Sequence, residues 1–216
     1  MTVTIAAANR HELRRLIEER LKDSRPPTDP QSAVPAGFSA EVDAAIRQYF
    51  PAAPVAAAVL VPIVDHDQGL TVLLTQRATH LKNHAGQISF PGGRIEPSDE
   101  GPLAAALRET EEEIGLSRQH VTFAGYLEPH LVLTGFWVTP VVGFVQPGFA
   151  LEFDSSEVDS TFEVPLLHVL DVANHQSRER MLGTMKISVY DIPYGDHRIW
   201  GATAGMLMSL YRLLSS

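Results

Sequence analysis

Three glutamates in "LRETEEEIG", residues 107–115, are spaced for chemistry. Glu109, Glu112 and Glu113 stand at i, i+3 and i+4, so on a helix they share about a third of the wheel. Like charges at that spacing repel by roughly 0.2–0.5 kcal/mol per pair, and the pattern asks for something positive to offset them. Hard oxygen donors at this density suit Mg²⁺ or Mn²⁺, which keep some waters and share substrate phosphates. The competing reading is a solvated acidic helix face. The neighbouring sequence favours the metal. Residues 77–94 collect Arg77, His80, Lys82, His84 and Arg94 with no acid, and residues 96–113 reverse the sign. Cationic side chains hold phosphate oxygens while carboxylates hold the metal that neutralises the rest. Between the two blocks, Gly92-Gly93 lets backbone turn sharply or approach a ligand closely.

These residues need a helix, a loop and strands behind them. The spacing predicts a helix from Pro102 to Ile114. Proline suits its first turn and Gly115 its stop, and Leu103, Leu107, Thr110 and Ile114 make the face that packs on a sheet. "VAAAVLVPIV" and "LTVLLTQR" read as two strands around the polar turn "DHDQG". Further strands are expected at 121–127, 136–145, 183–191 and 197–200. "VPLLHVLD" reads as a short helix and "ATAGMLMSLYRLL" as an amphipathic closing one. Upstream, residues 11–23 read as a helix striped by Leu13, Leu16, Ile17 and Leu21. "SRPPTDPQSAVPAG" breaks it with four prolines, and a second helix is expected at 40–49 with Ser39 as its N-cap. Strands flanked by helices at both ends indicate an α/β sandwich. The division is an N-terminal helical extension over 1–50 and one domain over 51–216.

At 216 residues the chain suits one ordinary domain, and its 44% apolar content is enough for a core. A net charge of −9 argues against a nucleic-acid or membrane-surface binder. The absence of cysteine excludes disulfides and thiolate metal sites and fits a reducing cytoplasm. The early charges in "MTVTIAAANRHELRR" do not suit a signal peptide, and no run reaches the ~18–20 apolar residues of a membrane span.

The segment Gly93–Leu116 resembles the Nudix box, G-x5-E-x7-R-E-U-x-E-E-x-G-U with U apolar. Arg108, Glu109, Glu112, Glu113, Gly115 and Leu116 match its second half, and seven residues separate Glu100 from Arg108. Thr110 fills an apolar slot, and six residues rather than five separate Gly93 from Glu100. "LLTQRATHLKNHAGQISFPGG", Leu73 to Gly93, is similar to the signature of the coenzyme A pyrophosphatase branch, LLTxR(S/A)x3Rx3Gx3FPGG, with Lys82 in place of an arginine. Charge is kept there and the bidentate fork is lost. The resemblance implies an α/β/α sandwich on a mixed sheet with a loop–helix–loop catalytic motif. It also implies hydrolysis of the pyrophosphate of coenzyme A or an acyl-coenzyme A, with Mg²⁺ or Mn²⁺ as cofactor. ADP-ribose, NADH or a nucleoside triphosphate is the alternative substrate, and a non-catalytic ligand sensor the reading from another class. A homodimer is left open.

On that resemblance the metal ligands are Glu109, Glu112 and Glu113, with Glu100 a weaker candidate. Arg108 either orients a carboxylate or makes only an exposed pair with Glu112. Glu157 is the expected general base, Glu163 the second choice, and both also read as surface carboxylates of a loop. Arg77, Lys82, His84, Gly92, Gly93 and Arg94 are the expected substrate contacts, with His80 beside them as contact or bystander. Phe136, Trp137 and Trp200 read as core rather than as adenine stackers.

Overall fold

The computed structural model describes residues 8–28, 34–35, 37–38, 49–50 and 53–216. The helix expected at 40–49, with its cap at Ser39, lies outside the described residues except for Tyr49, which is in a turn. Strand β2 (Val55–His66) is the centre of the molecule. It runs parallel to β8 (Phe136–Val145) and antiparallel to β3 (Gly69–Arg77) and to β5 (Gly92–Arg94). The remaining strands of the same mixed sheet are β1 (Val34–Pro35), β4 (Ile88–Ser89), β6 (Val121–Tyr126), β7 (His130–Leu131) and β9 (Val158–Pro165). Because both faces of β2 are covered, its sequence is an almost unbroken apolar run rather than an alternating one. Ala57, Val61 and Ile63 face one core, and Ala58, Leu60 and Val64 face the other.

Helix α2 (Pro102–Ile114) packs on the second face through Ala105, Ala106 and Ile114. The expected stripe is rotated slightly. Leu103 and Leu107 lie at its margin, half-buried, while the two alanines meet the sheet where close approach needs small residues. Thr110 is tolerated in its apolar slot because its hydroxyl donates to the Ala106 carbonyl at 2.6 Å. Gly115 ends the helix at φ +69° and donates its N–H to the Glu111 carbonyl.

The first face is covered by α1 (Arg10–Leu21), α3 (Leu166–Leu170) and α4 (Gly201–Ser215). Helix α1 starts one residue earlier than its pattern suggested, because Asn9 and Glu12 form a reciprocal capping box. Leu13, Ile17 and Leu21 join the same core as Leu207, Leu210 and Leu214 of α4. The strand expected over 183–191 is half of a hairpin. β10 (Gln176–Leu182) and β11 (Met185–Tyr194) pair around Gly183, whose φ of +59° suits a two-residue turn, and β12 (His197–Trp200) completes a three-stranded sheet. Strand β10, "QSRERML", buries no residue fully, so it carries no hydrophobic alternation to read.

Candidate functional site

Helix α2 presents its glutamates to strand β5, and the double glycine is what lets them come close. A Cβ on Gly93 would sit 2.4 Å from the Glu109 carboxyl carbon, and one on Gly92 would strike the backbone of β2. The Gly92 N–H donates to Glu113 Oε2 at 3.1 Å. Glu113 is only 5% exposed. Burial pushes its carboxyl up to about 8, with repulsion from Glu157 and Glu109 adding to the effect. The Gly92 bond and the Arg77 charge oppose it. Glu109 is also raised, by burial first and by Glu112 and Glu157, against the pull of Arg108.

Arg108 does more than make an exposed pair. Its Nη1 donates to Glu109 Oε1 at 3.0 Å and to Glu112 Oε2 at 2.9 Å, and its Nη2 donates to the Arg94 carbonyl. Its other edge is clamped bidentately by Asp99, through Nε to Oδ1 at 3.1 Å and Nη2 to Oδ2 at 3.0 Å. The Asp99 side chain is 5% exposed, and its hydrogen bonds from Arg108 hold it below the usual carboxylate range. Asp99 was missed in the sequence, where Glu100 was weighed instead. The signal was present. With five residues between, Gly93 is followed by Asp99; with seven between, Arg108 is preceded by Glu100. The extra loop residue splits the two counts, and the arginine takes the first. Glu100 is exposed and lies outside the helix, whose first turn holds no acid.

Glu157 belongs to the same neighbourhood, since its charge reaches both Glu109 and Glu113. It is exposed. Glu163 does not join them. It accepts hydrogen bonds from Thr71 and pairs with His66 Nε2, five residues along β9 from Val158, or about 17 Å at strand rise.

The basic block divides. Arg77 ends β3 at a bulge, and its charge acts on Glu113. Its buried Nε has no hydrogen-bond partner among the described residues. The loop that follows leaves and returns at the same point: Arg77 donates its N–H to the Gln87 carbonyl, and Gly86 donates to that of Arg77. Lys82, His80 and His84 stand exposed on the excursion. His84 takes a φ of +57° and its Nδ1 pairs with Gln87 Oε1 at 2.9 Å. Arg94 is exposed, its guanidinium 5.6 Å from the centre of the Phe136 ring. Phe136, Trp137 and Trp200 are each half-buried rather than full core. Phe136 packs against the main core and Trp200 against the small cluster of Phe38, Ile187 and Val189.

Could these residues hold a divalent ion? Among the described residues no three acidic or imidazole groups already converge at metal spacing. Yet the donors around Glu113 are all hard carboxylate oxygens. An acid raised first by burial and then by two like-charged neighbours is a site that a cation would stabilise. The donor set therefore fits Mg²⁺ or Mn²⁺.

Comparison with known proteins gives the family. The NUDIX domain family matches residues 54–182. The uncharacterized Nudix hydrolase NudL of Photorhabdus laumondii is 40% identical over 154 residues, covering 71% of this chain and 82% of the relative. NudL of Salmonella paratyphi B is 41% identical over 155 residues, covering 71% and 80%. Among solved structures, the Nudix hydrolase RenU of M. smegmatis superposes with a TM-score of 0.52 at 19% identity, covering 74% of this chain and 85% of RenU, which is a likeness of fold. No helix among the described residues is long and apolar enough to cross a membrane. The chain belongs to the Nudix family of pyrophosphohydrolases, which act on the phosphoanhydride bonds of nucleoside diphosphate derivatives.

Proposed function

We propose that the protein hydrolyses the pyrophosphate of coenzyme A or an acyl-coenzyme A, yielding 3′,5′-ADP and 4′-phosphopantetheine or its acyl form. The observation that carries this reading is the segment Leu73–Gly93. It resembles the signature of that branch, and it is the same length of chain that ends β3 with Arg77 beside Glu113 and delivers Gly92-Gly93 to the carboxylates. Glu109, Glu112 and Glu113 would hold the divalent cation, Mg²⁺ or Mn²⁺. When bound, it supplies charge screening of the pyrophosphate and acidifies the attacking water.

The chain's own groups do the rest. Arg108, fixed by Asp99, holds Glu109 and Glu112 in place. Glu157, exposed and adjacent to Glu109 and Glu113, takes the proton from the attacking water. One P–O bond forms to that oxygen and the bridging P–O bond breaks, leaving two phosphate monoesters. Arg77 and Lys82 bind the substrate's phosphate oxygens, and Arg94 and His84 flank them. The test is a mass-spectrometric product screen with coenzyme A, acetyl-coenzyme A, NADH, ADP-ribose and dGTP, with Mg²⁺ and with Mn²⁺. Release of 3′,5′-ADP from coenzyme A at a kcat/KM above that of the other compounds is expected. Preferential cleavage of ADP-ribose, NADH or dGTP would overturn the coenzyme A reading.

A further inference from the structure

Both halves of the site are anchored to one short stretch of chain around Glu157. Residues 152–159 lead into β9. On one side the stretch is tied to the last turn of α2: the Glu152 N–H donates to the Ile114 carbonyl at 3.0 Å, and the Asp154 N–H donates to the Glu113 carbonyl at 3.0 Å. The approach is so close that a Cβ on Gly115 would lie 2.9 Å from the Glu152 nitrogen. On the other side it is tied to the start of the basic loop. Ala78 donates its N–H to the Glu157 carbonyl at 2.8 Å, and Thr79 donates its N–H to Asp159 Oδ2 at 2.9 Å.

Between these anchors Asp154 folds the chain into a tight turn. Its Oδ1 accepts the Ser156 N–H at 2.8 Å and the Ser156 hydroxyl at 2.6 Å, the arrangement by which an aspartate side chain stands in for a backbone turn. Its carbonyl accepts the N–H groups of Glu157 and Val158, each at 2.9 Å. One residue thus bonds to the backbone of Glu113 and fixes the backbone of Glu157, two carboxylates of the site that lie 44 positions apart in the chain.

We infer that residues 154–159 form a two-ended clasp in which Asp154 is a positioning residue for Glu157, governing turnover, and Asp159 is a positioning residue for the loop carrying Lys82, governing substrate affinity. The Asp154 half rests on Glu157 being the base proposed above; the Asp159 half does not. Both aspartates are exposed and neither lines the buried core, so each can be changed without opening a cavity. A displacement of about 1 Å at a reacting group can cost ~100-fold in rate, whereas a loosened binding loop raises KM and leaves kcat alone when ground and transition states are held equally.

The test measures kcat and KM separately on whichever of the five compounds the wild type cleaves, together with backbone amide exchange. Asp154→Ala should lower kcat about 10- to 100-fold with KM within about twofold, and speed exchange at Glu157 and Val158. Asp154→Asn, which keeps Oδ1, should recover most of the loss. Asp159→Ala should raise KM about 3- to 10-fold with kcat within about twofold, and speed exchange at Thr79. Asp159→Asn should again recover. Unchanged kcat and unchanged exchange in Asp154→Ala would overturn the inference. So would variants that lower kcat and raise KM together in step with a fallen Tm, since that is what a merely structural loop would do. If Glu157→Gln is silent while Asp154→Ala still slows turnover, the base assignment and the Asp154 half both fail, and only the Asp159 half stands.

Discussion

On α2, Glu113 is 5% exposed and bonded to backbone, Glu109 rests on a glycine, and Arg108 is held from both edges. Lys82 and His84, by contrast, stand exposed on a loop that excurses from β3 and closes on itself at Arg77 and Gln87. The acidic half is built on a helix of thirteen residues packed on the sheet; the basic half is built on irregular chain. Arg77 is the exception, a strand-borne cation among the carboxylates. The contrast matches what the roles proposed above would ask of each half. Carboxylates that share an ion need their oxygens fixed to within a fraction of an ångström. Phosphate recognition by point charges tolerates a looser mount, and a loop can follow a flexible substrate.

If the acidic half is the rigid and demanding one, substitutions there should cost most. Glu113→Gln, which keeps shape and removes the charge, should lower kcat by a factor of about 10²–10⁴ in Mg²⁺ or Mn²⁺. A loss below threefold in steady-state kinetics would remove Glu113 from the ligand set. Asp99→Ala frees one edge of Arg108 and should cost about 10- to 100-fold in kcat, with apparent metal affinity weakened as read by metal titration. Asp99→Glu should behave better than Asp99→Ala if the arginine clamp is what matters.

The basic half should respond more mildly and more selectively. Dephospho-coenzyme A lacks the 3′-phosphate, and one charge-assisted contact to it contributes roughly 1.5–3 kcal/mol, so kcat/KM should be about 10- to 100-fold lower than for coenzyme A. Lys82→Ala should shrink that ratio through KM. Equal losses on both substrates would place Lys82 on the pyrophosphate instead.

A further effect is in stability. Glu113 titrates near 8 in the folded protein against 4.5 for an unperturbed glutamate. The folded state therefore binds more protons than the unfolded state between those values. Its contribution is intact below pH 4.5 and is lost as pH rises through 8, by at most about 1.4 kcal/mol per pH unit. In EDTA, denaturant midpoints should fall from pH 5.5 to pH 8.5, and saturating Mg²⁺ or Glu113→Gln should flatten that fall. A metal-free protein with no such slope would show that Glu113 keeps its ordinary acidity.

What was legible in the sequence was periodic or directly spaced. The i, i+3, i+4 glutamates, the proline and glycine bracketing α2, and the apolar runs of β2, β3 and β8 each state a local requirement, and each element formed as expected. What was not legible depends on contacts distant in sequence or on a change of register. Asp99 was hidden by one inserted residue. Strand β10 was hidden because nothing in it is buried. Asp154 and Asp159 look like ordinary loop acids until β9 is laid beside β3, which brings Val158 opposite Arg77. The polar network of His66, Thr71 and Glu163, which withdraws Glu163 from the site, joins residues more than ninety positions apart.

Helix α1 has a consequence for synthesis on the ribosome. Its stripe of Leu13, Ile17 and Leu21 is completed by α4, and Arg20 bonds to the carbonyl and hydroxyl oxygens of Ser216, 196 positions later. At the usual pace of translation, roughly 5–20 residues per second, α1 emerges some 10–40 s before its cover. For that interval the nascent chain carries an apolar helix with one wall missing. A chain ended before Gly201 should keep that helix open, and be cut at Arg14 and Arg15 by trypsin where the full chain resists.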